Sequence, residues 1–304
     1  MTAESSTSGN HDHANDHEPI SAEDIEVDSS SETSPPKSKG EPKNAFQELM
    51  SSSHTQQRPG IAPKKPSVPP KKYTNDPRNN LLEYIKAPQK SPEVIEYDDE
   101  FVVIKDRFPK ASIHLLILPR DPAIYDQHPL QALSNDAEFL ERAKERADKV
   151  KKLAASELRR LYGQGSQSDK PWQTAYEKVM TDDSLSDSER DSKLASLPKG
   201  RDWESEIKVG VHTHPSMNHL HIHVMSKDMH SPALKHKKHY LSFNSSFFVG
   251  LDEFPLEKGS PRFKPGDWPS WDMKCWRCGR NFQNKFASLK RHLDEEEFEA
   301  WKRE

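Results

Sequence analysis

The sequence predicts an α+β fold: a mostly antiparallel sheet with helices, preceded by a disordered tail and followed by a small ββα-like finger. Three observations carry this reading. Short strand-like runs lie on both sides of one long charged helical stretch, the order expected of an α+β domain. Cys275 and Cys278 form a Cys-x2-Cys pair with His292 downstream. The first 73 residues are rich in Ser, Pro, Asp, Glu and Lys with few aromatics, a composition that cannot bury enough apolar surface to offset its ordering entropy. The whole chain of 304 residues is only 32% hydrophobic and 31% charged, with a mean hydropathy of −0.99.

Residues 1–73 read as a tail, 74–253 as the α+β domain and 254–304 as linker and finger. In the tail, Pro63-Lys64-Lys65-Pro66 and Pro70-Lys71-Lys72 match a nuclear import signal, which points to the nucleus. Residues 1–33 carry nine acidic side chains and no Lys or Arg, which makes the tail a candidate arm for docking partner proteins. Order begins near Arg78 with a short helix through Leu81, Leu82, Glu83, Tyr84 and Ile85. Strands follow at Val94–Tyr97, Phe101–Lys105 and Ile113–Leu118, the first two joined by the turn Asp98-Asp99-Glu100 as an antiparallel hairpin. Asn135 with Glu138 three residues later is a capping-box-like start for a helix to about Leu161. Residues 163–200 show little apolar periodicity and read as a mobile insertion. Two more strands come next, Ile207–His212 and the run around residue 220. Pro and Gly dot the segment from Phe254 to Trp271, a linker.

That last strand reads His219-Leu220-His221-Ile222-His223-Val224-Met225. At period 2 the three imidazoles share one face and the aliphatic residues the other. Such a row contributes little to packing and suits chemistry on an anion such as a phosphate. Metal ligation by two of the histidines would need a third ligand, often a carboxylate, and the nearby sequence offers no obvious one. The absence of an apolar run near ~18 residues excludes a membrane span. The two cysteines lie in a chain without a secretory leader pattern, which favours metal binding or redox work over a structural disulfide.

The histidine strand resembles the His-φ-His-φ-His-φ-φ motif of the histidine-triad family of nucleotide hydrolases and transferases. Lys105-Asp106, Phe108-Pro109-Lys110, His114, Val209-Gly210-Val211-His212, Pro215-Ser216-Met217 and Ser231-Pro232-Ala233-Leu234-Lys235 with His239 are similar to the aprataxin branch of that family, hydrolases of adenylated DNA. The resemblance implies a histidine-triad catalytic domain in which His221 is the nucleophile and takes AMP as a covalent intermediate. It makes His219 and His223 the flanks of the phosphate, Ser216 a donor to its oxygens and His212 the acid for the departing group. Ile104, Lys105, Asp106, Ser216, Met217 and His223 correspond to the nucleotide pocket. Lys110, Lys235 and His239 correspond to contacts on the DNA side. The implied partners are DNA nicks, 5′-adenylated ends and RNA–DNA junctions, with AMP as product and no membrane. Pro77 occupies the place where the family carries an aromatic wedge, leaving Tyr84 or Leu81 to stack on a DNA end.

Around the finger, Phe282 and Leu289 supply the small apolar core of a ββα module, and Cys275, Cys278 and His292 supply three zinc ligands. Glu296, at i+4 from His292 on the same helical face, is the expected fourth ligand, as the resemblance to fungal members also implies; Glu295 is the alternative. One structural Zn2+ per chain is expected. Residues 226–292 hold 13 Lys/Arg against 6 Asp/Glu, a footprint for a polyanion. Within it Lys285, Lys290 and Arg291 are candidate phosphate contacts. Two rivals stand beside the hydrolase of adenylated DNA: a small-nucleotide or phosphoramidate hydrolase, and a non-catalytic adaptor that binds DNA ends.

Overall fold

A computed structural model describes residues 76–304 of the chain; the acidic tail and the lysine clusters around residues 63–72 lie outside the described residues. Six strands form one sheet in the order β1-β2-β3-β5-β4-β6: β1 Val94–Tyr97, β2 Phe101–Lys105, β3 His114–Pro119, β4 Ile207–His212, β5 Ile222–Ser226 and β6 Phe248–Gly250. Every pairing is antiparallel. Asp98 turns the first hairpin, its carboxylate accepting the backbone N–H groups of Glu100 and Phe101 at 2.9 Å each.

The helices are α1 Leu81–Lys86, α2 Pro122–Tyr125, α3 Pro129–Asn135, α4 Ala137–Tyr162, α5 Lys170–Met180, α6 Asp187–Ala195, α7 Lys237–Leu241, α8 Phe286–His292 and α9 Phe298–Trp301. Helix α4 has an apolar stripe of Phe139, Leu140, Ala143, Ala147, Val150, Ala154, Ala155 and Leu158, all buried. Its alanines let it lie close on the sheet face made by Val103, Leu115, Ile117, Ile222 and Val224. Its N-cap is Asp136, whose side chain accepts the Phe139 N–H, one residue later than the expected Asn135. The opposite sheet face carries Val102, Ile104, Leu116 and Leu118, covered by Leu81, Leu82 and Ile85 of α1 and by Tyr125. His223 shares this second face, because it pairs with Leu116 and Leu116 with Ile104.

Two expectations change. The 163–200 segment is not irregular: it folds as α5 and α6, the latter started by a capping box between Ser186 and Glu189. Helix α6 has too few apolar residues to show a 3.6-residue period, whereas α5 carries a short one in Trp172, Tyr176 and Val179, lost among polar neighbours. The finger has one bridge, Lys274 to Asn281, in place of two full strands, followed by α8. Met273, Cys275, Phe282, Leu289 and Leu293 of the finger share a cluster with Met225, Met229, Tyr240 and Phe243. Finger and catalytic sheet thus pack through one core. No helix among the described residues is long and apolar enough to cross a membrane.

Candidate active site and metal centre

The histidine run enters β5 only at Ile222; His219 to His221 form the lead-in to the strand. That lead-in is tied down at two backbone points, Asn218 N–H to Arg78 O at 3.0 Å and Leu220 N–H to Tyr125 O at 2.8 Å. His219, His221 and His223 are all buried. His221 Nδ1 lies 2.8 Å from the carbonyl oxygen of His219. A carbonyl can only accept, so Nδ1 carries the proton and Nε2 keeps its lone pair.

The structure brings His212, His221 and His223 together: ring centroids are 4.5 Å apart for His212 and His223 and 4.8 Å for His221 and His223. The ring of His219 sits elsewhere, edge-on to Tyr125 and 3.8 Å from Asp126 Oδ1. Phe243 walls the site beside His212, His223 and His114. Nε2 of His212 and Nε2 of His223 are buried without a hydrogen-bond partner among the described residues, an arrangement suited to an incoming anion.

Burial dominates the electrostatics. It pushes His221 below the usual imidazole range, partly offset by the His219 carbonyl and Asp106. Burial, with neighbouring imidazoles adding to it, holds His212 and His223 well below that range and lowers His114 to about 4. All four rings are therefore neutral near pH 7. His114 takes part although sequence reasoning gave it no role. It pairs with Met225 across β3 and β5 and sits 3.0 Å from His223; its place in the strand opposite the histidine run was the available signal.

Asp106 accepts the Phe108 N–H at 2.8 Å and its other oxygen is 3.4 Å from His114 Nδ1. Contrary to expectation, then, a carboxylate does stand beside the histidines, and Asp106, His114 and His223 offer ligand atoms within 4.8 Å of one another. Ile104 is buried, Lys105 is exposed at the strand end, and Ser216 and Met217 are half-buried on the loop before the histidines. Met217 packs against the cluster of Leu81, Leu82 and Tyr125. Desolvation lowers the Lys110 ammonium, and Lys235 is close enough to push it the same way. The Lys235 N–H donates to His239 Nδ1 at 3.3 Å. Leu81 is buried in the core, which removes it as a stacking residue; Tyr84 stays half-exposed at the edge of that cluster.

In the finger, Cys275, Cys278, His292 and Glu297 place their ligand atoms within 4.8 Å of one another. Cys278 Sγ is 3.2 Å from His292 Nε2, and Glu297 Oε1 is 3.0 Å from the same nitrogen. Two thiols, an imidazole and a carboxylate suit tetrahedral zinc. This corrects the expected Glu296. Residues Leu293–Glu297 form one π turn, whose wider winding carries i+5 onto the face that i+4 occupies in an α-helix. Glu296 instead meets Nδ1 of His292 at 2.9 Å, with its side chain 63% exposed. Glu295 is exposed. Arg277 holds Glu297 in place, Nη1 donating at 2.8 Å. Lys285 and Arg291 are exposed, whereas Lys290 is paired with Asp294.

A sheet-borne cluster of neutral imidazoles packed against a zinc-binding finger defines a histidine-triad hydrolase with an appended metal module. Comparison with known proteins agrees: residues 87–230 match the HIT domain and residues 244–300 the C2HE / C2H2 / C2HC zinc-binding finger. The chain is 36% identical over 233 residues to the aprataxin-like protein of Schizosaccharomyces pombe, covering 76% of this chain and 86% of that one. It is 33% identical over 226 residues to the aprataxin-like protein of Saccharomyces cerevisiae, covering 71% and 94%. A crystal structure of the aprataxin ortholog Hnt3 in complex with DNA superposes with a TM-score of 0.55 at 32% identity, over 74% of this chain and 96% of that one. The chain belongs to the aprataxin family. It is a DNA-repair hydrolase that acts on adenylated DNA.

Proposed function

We propose that the chain removes AMP from 5′-adenylated DNA ends in two steps through a covalent intermediate on His221. The observation that carries this reading is the contact between His221 Nδ1 and the His219 carbonyl, which leaves the Nε2 lone pair as nucleophile. In the first step Nε2 attacks the adenylate phosphorus, the P–N bond forms, and the anhydride P–O bond breaks to release a DNA 5′-phosphate. Water then displaces the histidine and AMP leaves. The departing phosphate is already a stable anion, so charge stabilisation outweighs proton donation. His223 and Ser216 supply donors to the phosphoryl oxygens, and His212 stands beside them as a neutral ring. His219 acts through its carbonyl. Asp106 takes the ribose hydroxyls, beside Ile104, Lys105 and Met217.

Residues 74–253 act as the catalytic unit and 254–304 as the gripping unit. Zinc, one ion per chain, would be held by Cys275, Cys278, His292 and Glu297, and it supplies structure only. Lys110, Lys235, His239, Lys285 and Arg291 contact backbone phosphates, Lys290 more weakly, and Tyr84 stacks at the DNA end. Nicks and RNA–DNA junctions are the substrates, and the nucleus is where they arise. The acidic tail is a docking arm for repair proteins.

The test is incubation with a 5′-adenylated nick. AMP and a restored 5′-phosphate are expected, with an acid-labile adenylyl adduct in quenched samples. The variant His221→Ala yields neither product nor adduct. Near-normal AMP release by that variant removes the mechanism. Preference for a free nucleoside phosphoramidate over the nick favours the small-nucleotide rival, and tight DNA binding without turnover favours the adaptor.

A further inference from the structure

The insertion after α4 is built as a frame, and its base is rigid. Asp169, fully buried, joins its two ends: Oδ1 accepts the Arg201 N–H at 3.0 Å, and Oδ2 lies 3.3 Å from Arg159 Nε. Two glycines make room for that carboxylate. A Cβ at Gly200 would sit 2.1 Å from Asp169 Oδ1, and one at Gly163 would sit 2.9 Å from Oδ2. Sequence reading gave this segment no role.

From that base Arg201 reaches across to the far end of the finger. Its Nη1 donates to the carbonyl of Trp301 at 2.6 Å. The guanidinium lies over the rings of both Trp203, at 4.4 Å, and Trp301, at 4.9 Å. Its Nη2 faces Glu206 at 3.5 Å and Glu304 at 3.6 Å. Glu206 in turn accepts the Trp301 indole N–H at 2.7 Å. The insertion adds two backbone bonds, Gln167 N–H to Arg303 O at 2.9 Å and Ser168 N–H to Glu304 O at 2.6 Å. The post-β5 loop holds the same stretch from another side. There His230 stacks flat on Phe298, 3.8 Å between centroids, and its Nδ1 is 3.0 Å from Asp294.

Helix α8, the π turn and α9 run without a break from residue 286 to 301, about 24 Å at helical rise. Clamping the Trp301 end therefore sets where the other end, with Lys285 and Arg291, stands relative to His221. We propose that the 163–203 insertion is a docking frame for the finger and that Arg201 is a positioning residue for duplex substrates. It touches neither the reacting atoms nor the zinc ligands. The inference rests on the reading that the finger grips DNA, because only a gripping finger makes its angle matter to turnover.

The experiment compares the full chain with Arg201→Met, which keeps the stem between the two indoles, and Arg201→Lys, which keeps the cation but loses the planar fork. Each is assayed on an adenylated nicked duplex and on adenosine phosphoramidate, with zinc content measured alongside. For Arg201→Met we expect KM on the duplex to rise about tenfold with kcat nearly unchanged, since mis-aimed phosphate contacts weaken binding more than chemistry. Kinetics on the phosphoramidate and zinc content stay at the wild-type level. Arg201→Lys shows a smaller rise in the same direction, and it decides the matter if the Met variant does not fold. An unchanged duplex KM, or equal losses on both substrates, overturns the proposal. Failure of the wild-type chain to release AMP from the duplex defeats the functional reading instead.

Discussion

Nε2 of His114 lies 3.0 Å from Nδ1 of His223, and this contact fixes where the protons of the site reside. The backbone N–H of Lys110 donates to His114 Nδ1 at 3.1 Å. A neutral His114 must then carry its proton on Nε2 and donate to His223, which leaves the His223 proton on its own Nε2. His221 is set the opposite way by the His219 carbonyl. Neighbouring rings therefore present a lone pair at one Nε2 and a donor at the other, the pair of functions that attack on phosphorus and stabilisation of its oxygens demand.

His114→Phe tests that relay. Phenylalanine keeps the ring volume beside Phe243 but cannot donate to His223 Nδ1, so the donor at His223 Nε2 is no longer enforced. Losing one preorganised donor of this kind costs about 10²–10³ in rate. Single-turnover AMP release should slow by that range while the affinity for adenylated duplex stays close to wild type. A variant with a normal rate would show that His114 merely fills space.

The pH dependence follows from the direction of the imidazole shifts. Burial holds His221 below its usual range and His114 at about 4. The nucleophile is active only when neutral, so the rate has an acid limb whose midpoint falls below the ordinary imidazole value of about 6.5. No histidine-derived loss follows on the alkaline side. Stability runs the same way: as pH drops from about 6.5 towards 4, the unfolded chain takes up protons that the folded chain refuses, and folding weakens. Above 6.5 both states are neutral at these groups and stability levels off. An acid limb centred above 6.5 would contradict the burial argument.

Strand and helix periodicity made most of the sheet and α4 legible, because each buries one face and the alternation records which. The triad was legible through the same alternation: Leu220, Ile222 and Val224 mark the buried face, and imidazoles at 219, 221 and 223 are residues that packing alone does not call for. What stayed hidden depends on contacts between distant segments. The partnership of His114 with His223 needs the β3–β5 register, and the role of Arg201 needs the finger folded back against the insertion. Glu297 could not be chosen over Glu296 from spacing, because spacing assumes an α-helical turn where the chain makes a π turn. Helix α6 escaped because its apolar residues are few, and α5 because its stripe of Trp172, Tyr176 and Val179 spans only two turns.

Metal removal and the two glutamates can be tested together. The cluster of two thiols, His292 and Glu297 predicts one zinc per chain, and the shared core of finger and sheet predicts that chelation lowers the unfolding temperature of the whole described domain. Glu297→Gln should lose zinc at chelator concentrations that wild type withstands, because it removes a ligand and breaks the Arg277–Glu297 pair that holds it in place. Glu296→Gln, altering a 63% exposed side chain, should hold zinc nearly as wild type does. The reverse order, measured by zinc content after dialysis, would move the fourth ligand to Glu296 and require the turn to rewind as an α-helix when metal binds.

Salt dependence separates Lys285, Lys290 and Arg291 of the finger. Each phosphate contact contributes about 0.9 to the slope of log K against log salt on duplex DNA. Lys285 and Arg291 are exposed, and charge-removing variants of either should flatten the slope by roughly that amount, uniformly across sequences. Lys290 is already engaged by Asp294, which in turn meets His230 of the catalytic domain. Removing it forfeits less attraction to phosphate and also leaves the Asp294 charge uncovered, so Lys290→Ala should weaken binding with a smaller change of slope. Fluorescence anisotropy on a nicked duplex across a salt series measures all three. Equal slope changes for Lys290 and Arg291 would mean that the Lys290–Asp294 pair opens on DNA and leaves Asp294 to His230.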